Sequence, residues 1–308
     1  MITPRLSLTV RWGVPVVAVA MLAAGCGSSD NSGGSGSGTA ASKDVSIGMV
    51  PSWTDQSGTA YLVKNVLDAN GYNVKITELS DNAPIYTALS RGDLDLMTSS
   101  WKDGLQKSYW ATYGSKLEDL DVYYDGAKSF LAVPDYMSDV TSIEDLPGKA
   151  AEFNNTITGI EPGAGLTKVT KEDVMPGYGL DKKFKLQLSS TVAMLTALKQ
   201  SIAAKKPIVI TMWAPFWANS SFPIKPLADP KGLYGKPENL HVISRKGFTS
   251  DQPKVANMLK HFKLSQKQYE SLENLIVNKY PKGEEAQAVA AWLKANPDFA
   301  PNLAQYLK

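Results

Sequence analysis

One cysteine and two histidines are all that 308 residues offer of the usual metal and redox side chains. A lone Cys26 excludes an internal disulfide. His241 lies in a predicted strand and His261 in a predicted helix, and both read as structural or solvated. There is no His-Glu-x-x-His pair and no Cys pair, so no metal site is expected. A Walker-type phosphate loop and a Gly-x-Ser-x-Gly elbow are also missing. Gly163-Ala164-Gly165 does not follow the dinucleotide spacing. With no catalytic residue and no cofactor motif, the chain does not read as an enzyme. Charge of one sign is lacking too. The formal net charge is +2, and Arg5 and Arg11 are the only charges in the first 25 residues, so the remainder is formally neutral. A neutral body gives nucleic acid no purchase, because that binding rests on phosphate neutralisation.

What is present begins with the amino terminus. Arg5, Arg11 and the apolar stretch 14–24, followed by small residues, have the layout of a secretory signal over residues 1–25. The apolar stretch is too short for a comfortable membrane span. Leu22-Ala23-Ala24-Gly25-Cys26 resembles the bacterial lipobox. That resemblance implies cleavage before Cys26 and lipidation of its thiol. Residues 27–42 are almost all Gly, Ser, Ala, Thr and Asn, a composition that cannot bury enough surface to fold. Residues 26–43 are thus a lipidated cysteine and a flexible tether. The expected location is the extracytoplasmic face of the cell membrane, lipid-anchored (periplasmic if the envelope has two membranes).

From residue 44 the pattern alternates. Strands are predicted at 45–50, 73–79 and 94–97, with helices at 56–70 and 84–91 between them. Gly71 and Gly92 stop those helices. Strand, helix, strand, helix, strand implies parallel pairing with crossovers, an α/β sheet covered on both faces. Further strands are predicted at 122–124, 129–133, 184–188, 208–214 and 240–244. Residues 153–160 read as extended, and 189–204 as a helix with Val192, Leu195, Leu198 and Ile202 along one side. Residues 221–235, rich in Pro and Gly, read as a surface connection. Helices at 252–262, 265–278 and 283–296 close the chain, the last with Ala286, Val289, Ala290 and Leu293 on its apolar face. The order suggests two α/β lobes: residues 44–128 plus 236–308, and residues 129–235. The chain crosses between them twice, near Lys128 and within 223–237, which makes a hinge.

Tryptophan carries the chemistry. Trp53 lies just past the first predicted strand, Trp101 follows the third, and Trp213 ends the strand that Pro215 terminates. Ligands of open α/β sheets sit beyond the carboxyl ends of strands. A single strand-end tryptophan is more often packing. Three of them, two in one lobe and one in the other, point to a shared interlobe cleft. The ligand that suits them is a cation too diffuse to need hydrogen bonds. A quaternary ammonium has no N–H donor, and a desolvated aromatic face attracts it by about 2 kcal/mol. Asp55 adds either a carboxylate for that cation or an N-cap for the following helix. Trp110 and Trp292, on helices, read as packing. Trp217 reads as support for Trp213 or as the rim of the cleft.

The residues at these positions resemble the substrate-binding proteins of glycine betaine/choline ABC importers. The likeness spans residues 44–308 and rests on Ile47-Gly48-x-x-x-x-Trp53, Gly159-Ile160-Glu161-Pro162-Gly163-Ala164-Gly165, Trp213-Ala214-Pro215-Phe216-Trp217, Leu227-Ala228-Asp229-Pro230 and Ala291-Trp292-Leu293-x-x-Asn296-Pro297. It implies a two-lobed periplasmic-binding-protein fold with a hinge and an interlobe cleft. It also implies an aromatic cage for trimethylammonium compounds, no catalysis, and an ABC permease as partner. The cage positions carry over to Trp53, Trp101 and Trp213. Phe130, Tyr123 or Tyr124 is expected to complete the cage, with Asp55 and Glu161 as polar ligand residues. Betaine-binding members often place a His where Phe216 stands, and choline-binding relatives pair Trp-x-Asp as Trp53-Thr54-Asp55 does. Choline is therefore favoured over glycine betaine, with carnitine or an amino-acid derivative as the alternative. The protein is expected to act as a monomer. Micromolar binding of a solute of about seven heavy atoms needs about 1 kcal/mol per atom, close to the ceiling for small ligands. Nearly complete enclosure, and hence lobe closure, follows.

Overall fold

The structure is a computed structural model that describes residues 42–308. The expected signal segment, Cys26 and the tether as far as residue 41 lie outside the described residues. Nine strands form one sheet: β1 (Asp44–Met49), β2 (Asn73–Glu78), β3 (Leu96–Ser100), β4 (Leu117–Pro134), β5 (Thr156–Thr158), β6 (Lys185–Gln187), β7 (Ile210–Ala214), β8 (Ile224–Pro226) and β9 (Glu238–Arg245). Their order is β2-β1-β3-β9-β4-β7-β5-β6, with β8 pairing β4 off this path.

Parallel pairing holds on each flank. β1 is parallel to β2 and β3, and β5 is parallel to β6 and β7. The middle departs from the expected parallel pattern, because β9 and β4 run antiparallel to their neighbours. The sheet is therefore mixed. The two strands expected at 122–124 and 129–133 are one strand, β4, of 18 residues. Asp125-Gly126 reads as a break in sequence, but Gly126 takes φ +81 and the strand continues past it. Residues 117–127 of β4 pair with β9, and residues 128–134 pair with β7 and β8. One strand thus serves a first half of the sheet, built on β1–β3 and β9, and a second half built on β5–β8. The region read as a plain connection contains β8.

The first-half helix Thr54–Ala69 buries Leu62, Val63, Val66 and Leu67, the apolar face its periodicity predicts. Gly92, in the left-handed region, caps the helix Asn82–Arg91 and returns its N–H to Ala88 and Leu89. Two other helices present different faces from those predicted. In Thr191–Ala203 the buried residues are Thr191, Met194 and Leu198, while Val192 is 57% exposed. In Glu285–Ala295 they are Ala288, Val289 and Trp292. A mean apolar stripe cannot tell which edge meets the packing partner when Ala and Leu occur on several sides. The helix Phe299–Ala304 was not anticipated. The second half has its own apolar cluster, including Leu131, Val133, Ile157, Leu180 and Val209. Among the described residues no helix is long and apolar enough to cross a membrane.

Candidate functional site

Three first-half strands end at helix starts, which places short loops at one edge of the sheet. β1 leads through Pro51-Ser52 to Trp53, which occupies the N-cap position of the helix Thr54–Ala69. β3 leads directly into Trp101. From the second half, β7 carries Trp213 one residue before its end at Ala214. The three indoles line one hollow, together with Asp55, Gln56, Asn82, Leu105, Gln106, Ile160, Gly165 and their neighbours. Trp53, Trp101 and Trp213 are 6%, 5% and 5% exposed, so the indoles are almost wholly withdrawn from solvent. Its free volume, about 40 Å³, is room for a few waters.

Asp55 sits in the first turn of its helix, not at the cap, and is 4% exposed. Its Oδ2 accepts from Ser99 Oγ at 2.6 Å and from the Trp101 indole Nε1 at 3.2 Å. Burial pushes its carboxyl above the usual range, although those two donors pull the other way. Tyr123, expected as a possible cage wall, instead stands behind this carboxylate and donates its hydroxyl to Ser99 Oγ at 2.9 Å.

The Trp101 loop is fixed from several sides. Gln106 Oε1 accepts from the Trp101 N–H at 3.2 Å and from Ser100 Oγ at 3.1 Å. Glu238 accepts from the N–H groups of Gly104 and Leu105 at 2.7 and 3.0 Å. Burial raises Glu238 to about 7. His241 bridges Asp103 and Asp119 at 2.9 Å each. Burial lowers the tendency of that ring to hold a second proton, and the two carboxylates overcome it, so its pKa is raised. His241 is thus a strut beneath the loop.

Three further sequence-predicted residues, Tyr124, Phe130 and Glu161, fall elsewhere. Phe130 lines a second, larger hollow of about 530 Å³, beside Tyr124, Phe216, Trp217, Glu270 and Glu273. The register explains it: Ser129 pairs with Trp213, so Phe130, the next residue, faces the other side of the sheet. Glu161 is buried but does not line the tryptophan hollow; its oxygens accept from Trp53, Thr191 and Ser52. Phe216 stacks behind Trp213, centroids 4.0 Å apart and planes at 22°, and Trp217 stands edge-on to Phe216. The direct support of Trp213 is therefore Phe216. Gln56, Asn82 and Gln106 line the hollow without having been singled out from sequence. Their position at helix starts after β1, β2 and β3 was the available signal.

Residues 43–295 match the family model described as the substrate-binding domain of ABC-type glycine betaine transport systems. The chain belongs to this family. It is similar to lactococcal OpuAC in its closed, glycine betaine-bound conformation: 33% identity, TM-score 0.78, covering 86% of this chain and 99% of that one. It is also similar to an ABC-transporter choline-binding protein in complex with choline: 27% identity, TM-score 0.75, covering 83% and 89%. The glycine betaine/carnitine transport binding protein GbuC of Listeria monocytogenes is 36% identical over 147 residues, 48% of each chain. The chain thus matches about half the length of that relative. Family and neighbours fix the fold class as α/β, the two-lobed periplasmic-binding-protein fold with a hinge and interlobe cleft. Members of the family are extracytoplasmic binding components of transporters and not enzymes.

Proposed function

We propose that this protein captures a quaternary ammonium solute in the tryptophan hollow and delivers it to the permease of an ABC importer. The observation that carries the reading is the convergence of Trp53, Trp101 and Trp213 with the buried Asp55 carboxylate on one hollow. Three aromatic faces and one anion form a cage for a cation that cannot donate hydrogen bonds. The lobes are residues 44–128 with 236–308, and residues 129–235. They hinge where β4 passes from β9 to β7.

Choline is the first-choice ligand. Among the described residues that line the hollow there is no Lys, Arg or His, so a ligand carboxylate finds no cationic partner among them, whereas Asp55 matches a net cation. Glycine betaine and carnitine, each bearing its own carboxylate, are the alternatives. Cys26 carries the lipid that holds the protein outside the membrane. Tryptophan fluorescence and calorimetric titration with choline, glycine betaine and carnitine test the proposal. Micromolar choline binding is expected, and no response to any of the three up to millimolar concentration would sink it.

A further inference from the structure

We infer that the loop Glu161–Gly165 is the latch that couples closure to assembly of the cage, with Glu161 as the positioning residue for Trp53. This deepens the functional reading above and rests on it.

The loop belongs to the second half of the sheet, following β5. Glu161 Oε2 accepts from the Trp53 indole Nε1 at 3.1 Å and from Thr191 Oγ1 at 2.8 Å. Its Oε1 accepts from the Thr191 N–H at 2.9 Å and from Ser52 Oγ at 3.4 Å. Four donors occupy the acceptor sites of one carboxylate, which leaves it nothing to offer a ligand. Two of those donors, on Ser52 and Trp53, come from the first half. An indole has a single N–H, and here it is held from across the cleft by Glu161 and by Thr191 Oγ1 at 3.0 Å. Holding that edge sets the angle at which the Trp53 face meets the hollow.

Two residues on, Gly163 repeats the pattern. Its N–H donates to Asp81 Oδ2 at 2.6 Å, and its carbonyl accepts from the Tyr109 hydroxyl at 2.7 Å. Both partners lie in the first half. Gly165 then approaches Leu105 of the Trp101 loop. A Cβ on Gly165 would stand 2.1 Å from the Leu105 carbonyl oxygen and 2.5 Å from its carbon. These are backbone atoms, and Glu238 anchors the Leu105 N–H, so they cannot swing aside. Gly165 does not have positive φ, so alanine is acceptable to its own backbone. A methyl group at 165 therefore costs little while the halves are apart and collides only when they meet. The glycine and the carboxylate together make one wall of the cage a product of closure.

The test uses the full-length chain made lipid-free by Cys26→Ser, with Gly165→Ala, Glu161→Ala and Glu161→Gln added singly. Calorimetry with choline, small-angle scattering with and without choline, and ligand-free melting are measured on each. For Gly165→Ala we expect unchanged ligand-free melting, a Kd raised at least thirtyfold, a larger ligand-free radius of gyration than the parent, and no compaction on adding choline. Glu161→Ala should lose affinity similarly. Glu161→Gln keeps an acceptor oxygen for the Trp53 N–H and should recover to within tenfold of the parent. Radii and affinities of Gly165→Ala equal to the parent's would overturn the latch. A parent that binds none of the three solutes would overturn the functional reading instead, and the ligand-free radii would still decide the latch.

Discussion

Replacing Asp55 by Asn tests the electrostatics of the hollow most directly. The substitution keeps the shape of the side chain and an oxygen that Ser99 Oγ or Trp101 Nε1 can donate to, so packing is conserved. What disappears is a carboxylate that is 4% exposed. A cation centred about 5 Å from that charge gains about 3 kcal/mol at an effective dielectric constant of about 20. Part of the loss is offset because the variant no longer buries a charge in the ligand-free state, a cost visible in the raised pKa of Asp55. A net loss of about 2 kcal/mol remains, or about thirtyfold in Kd for choline. Glycine betaine has no net charge and should lose less than fivefold. The pH dependence follows the same charge. Burial raises the ligand-free pKa of Asp55, and a bound cation lowers it again, so binding releases a proton in the acidic range. Choline affinity should therefore climb as pH rises from the usual carboxylate value through the raised one, then level off. The Asn variant should show a flat profile. Calorimetric titrations of both ligands across that range give the answer. Choline affinity within threefold of the parent in the folded Asn variant, or a profile that rises toward acid, would refute the placement of the cation beside Asp55.

Trp213→Ala should weaken choline binding by about thirtyfold, the equivalent of about 2 kcal/mol for one aromatic face, while Trp213→Phe stays within about fivefold. Unchanged affinity in a folded Trp213→Ala protein would remove that ring from the cage. Glu273 is 2% exposed, accepts from Thr54 Oγ1, and burial holds it near about 8 against a reference of 4.5. The folded state thus keeps a proton that the unfolded chain releases. Stability should fall by about 1.4 kcal/mol per pH unit from this group as pH rises between those values. Glu273→Gln should remove that slope in urea melts at pH 5 and 7.5, and an identical slope would show that the group is solvated. Cys26→Ser should move the protein from the membrane to the soluble fraction of secreting cells; retention at the membrane would exclude a lipid on that thiol.

The three tryptophans were legible because each sits at or just past a strand end, and strand ends can be read from apolar runs that stop at Pro, Gly or a helix start; Asp55 was legible through its place two residues after Trp53. Gln56, Asn82 and Gln106 were not, because a polar residue at a helix start looks the same whether it caps the helix or faces a ligand. Phe130 was misplaced by one step of strand alternation, which only the pairing of Ser129 with Trp213 fixes. The surroundings of Glu161 were out of reach for another reason. Its donors lie 30 residues away at Thr191 and more than 100 away at Ser52 and Trp53, and no local pattern reports such meetings. The likeness of its glycine-rich loop to the family pattern pointed to the right segment while suggesting a ligand contact for the carboxylate. The single long β4 was hidden by Asp125-Gly126, a pair that punctuates most sequences and here sits within a strand.

β4 also limits how this protein can be taken apart. Because its 18 residues are shared, severing the chain near Lys128 would rob one fragment of a strand and leave both with bare backbone edges, ready to pair with any other chain. A cut at the exposed turn at Gly232 would leave every strand whole, yet β9 would then have to find both its partners, β3 and β4, on the other fragment, so a two-piece version of this scaffold would complete its sheet only on reassembly.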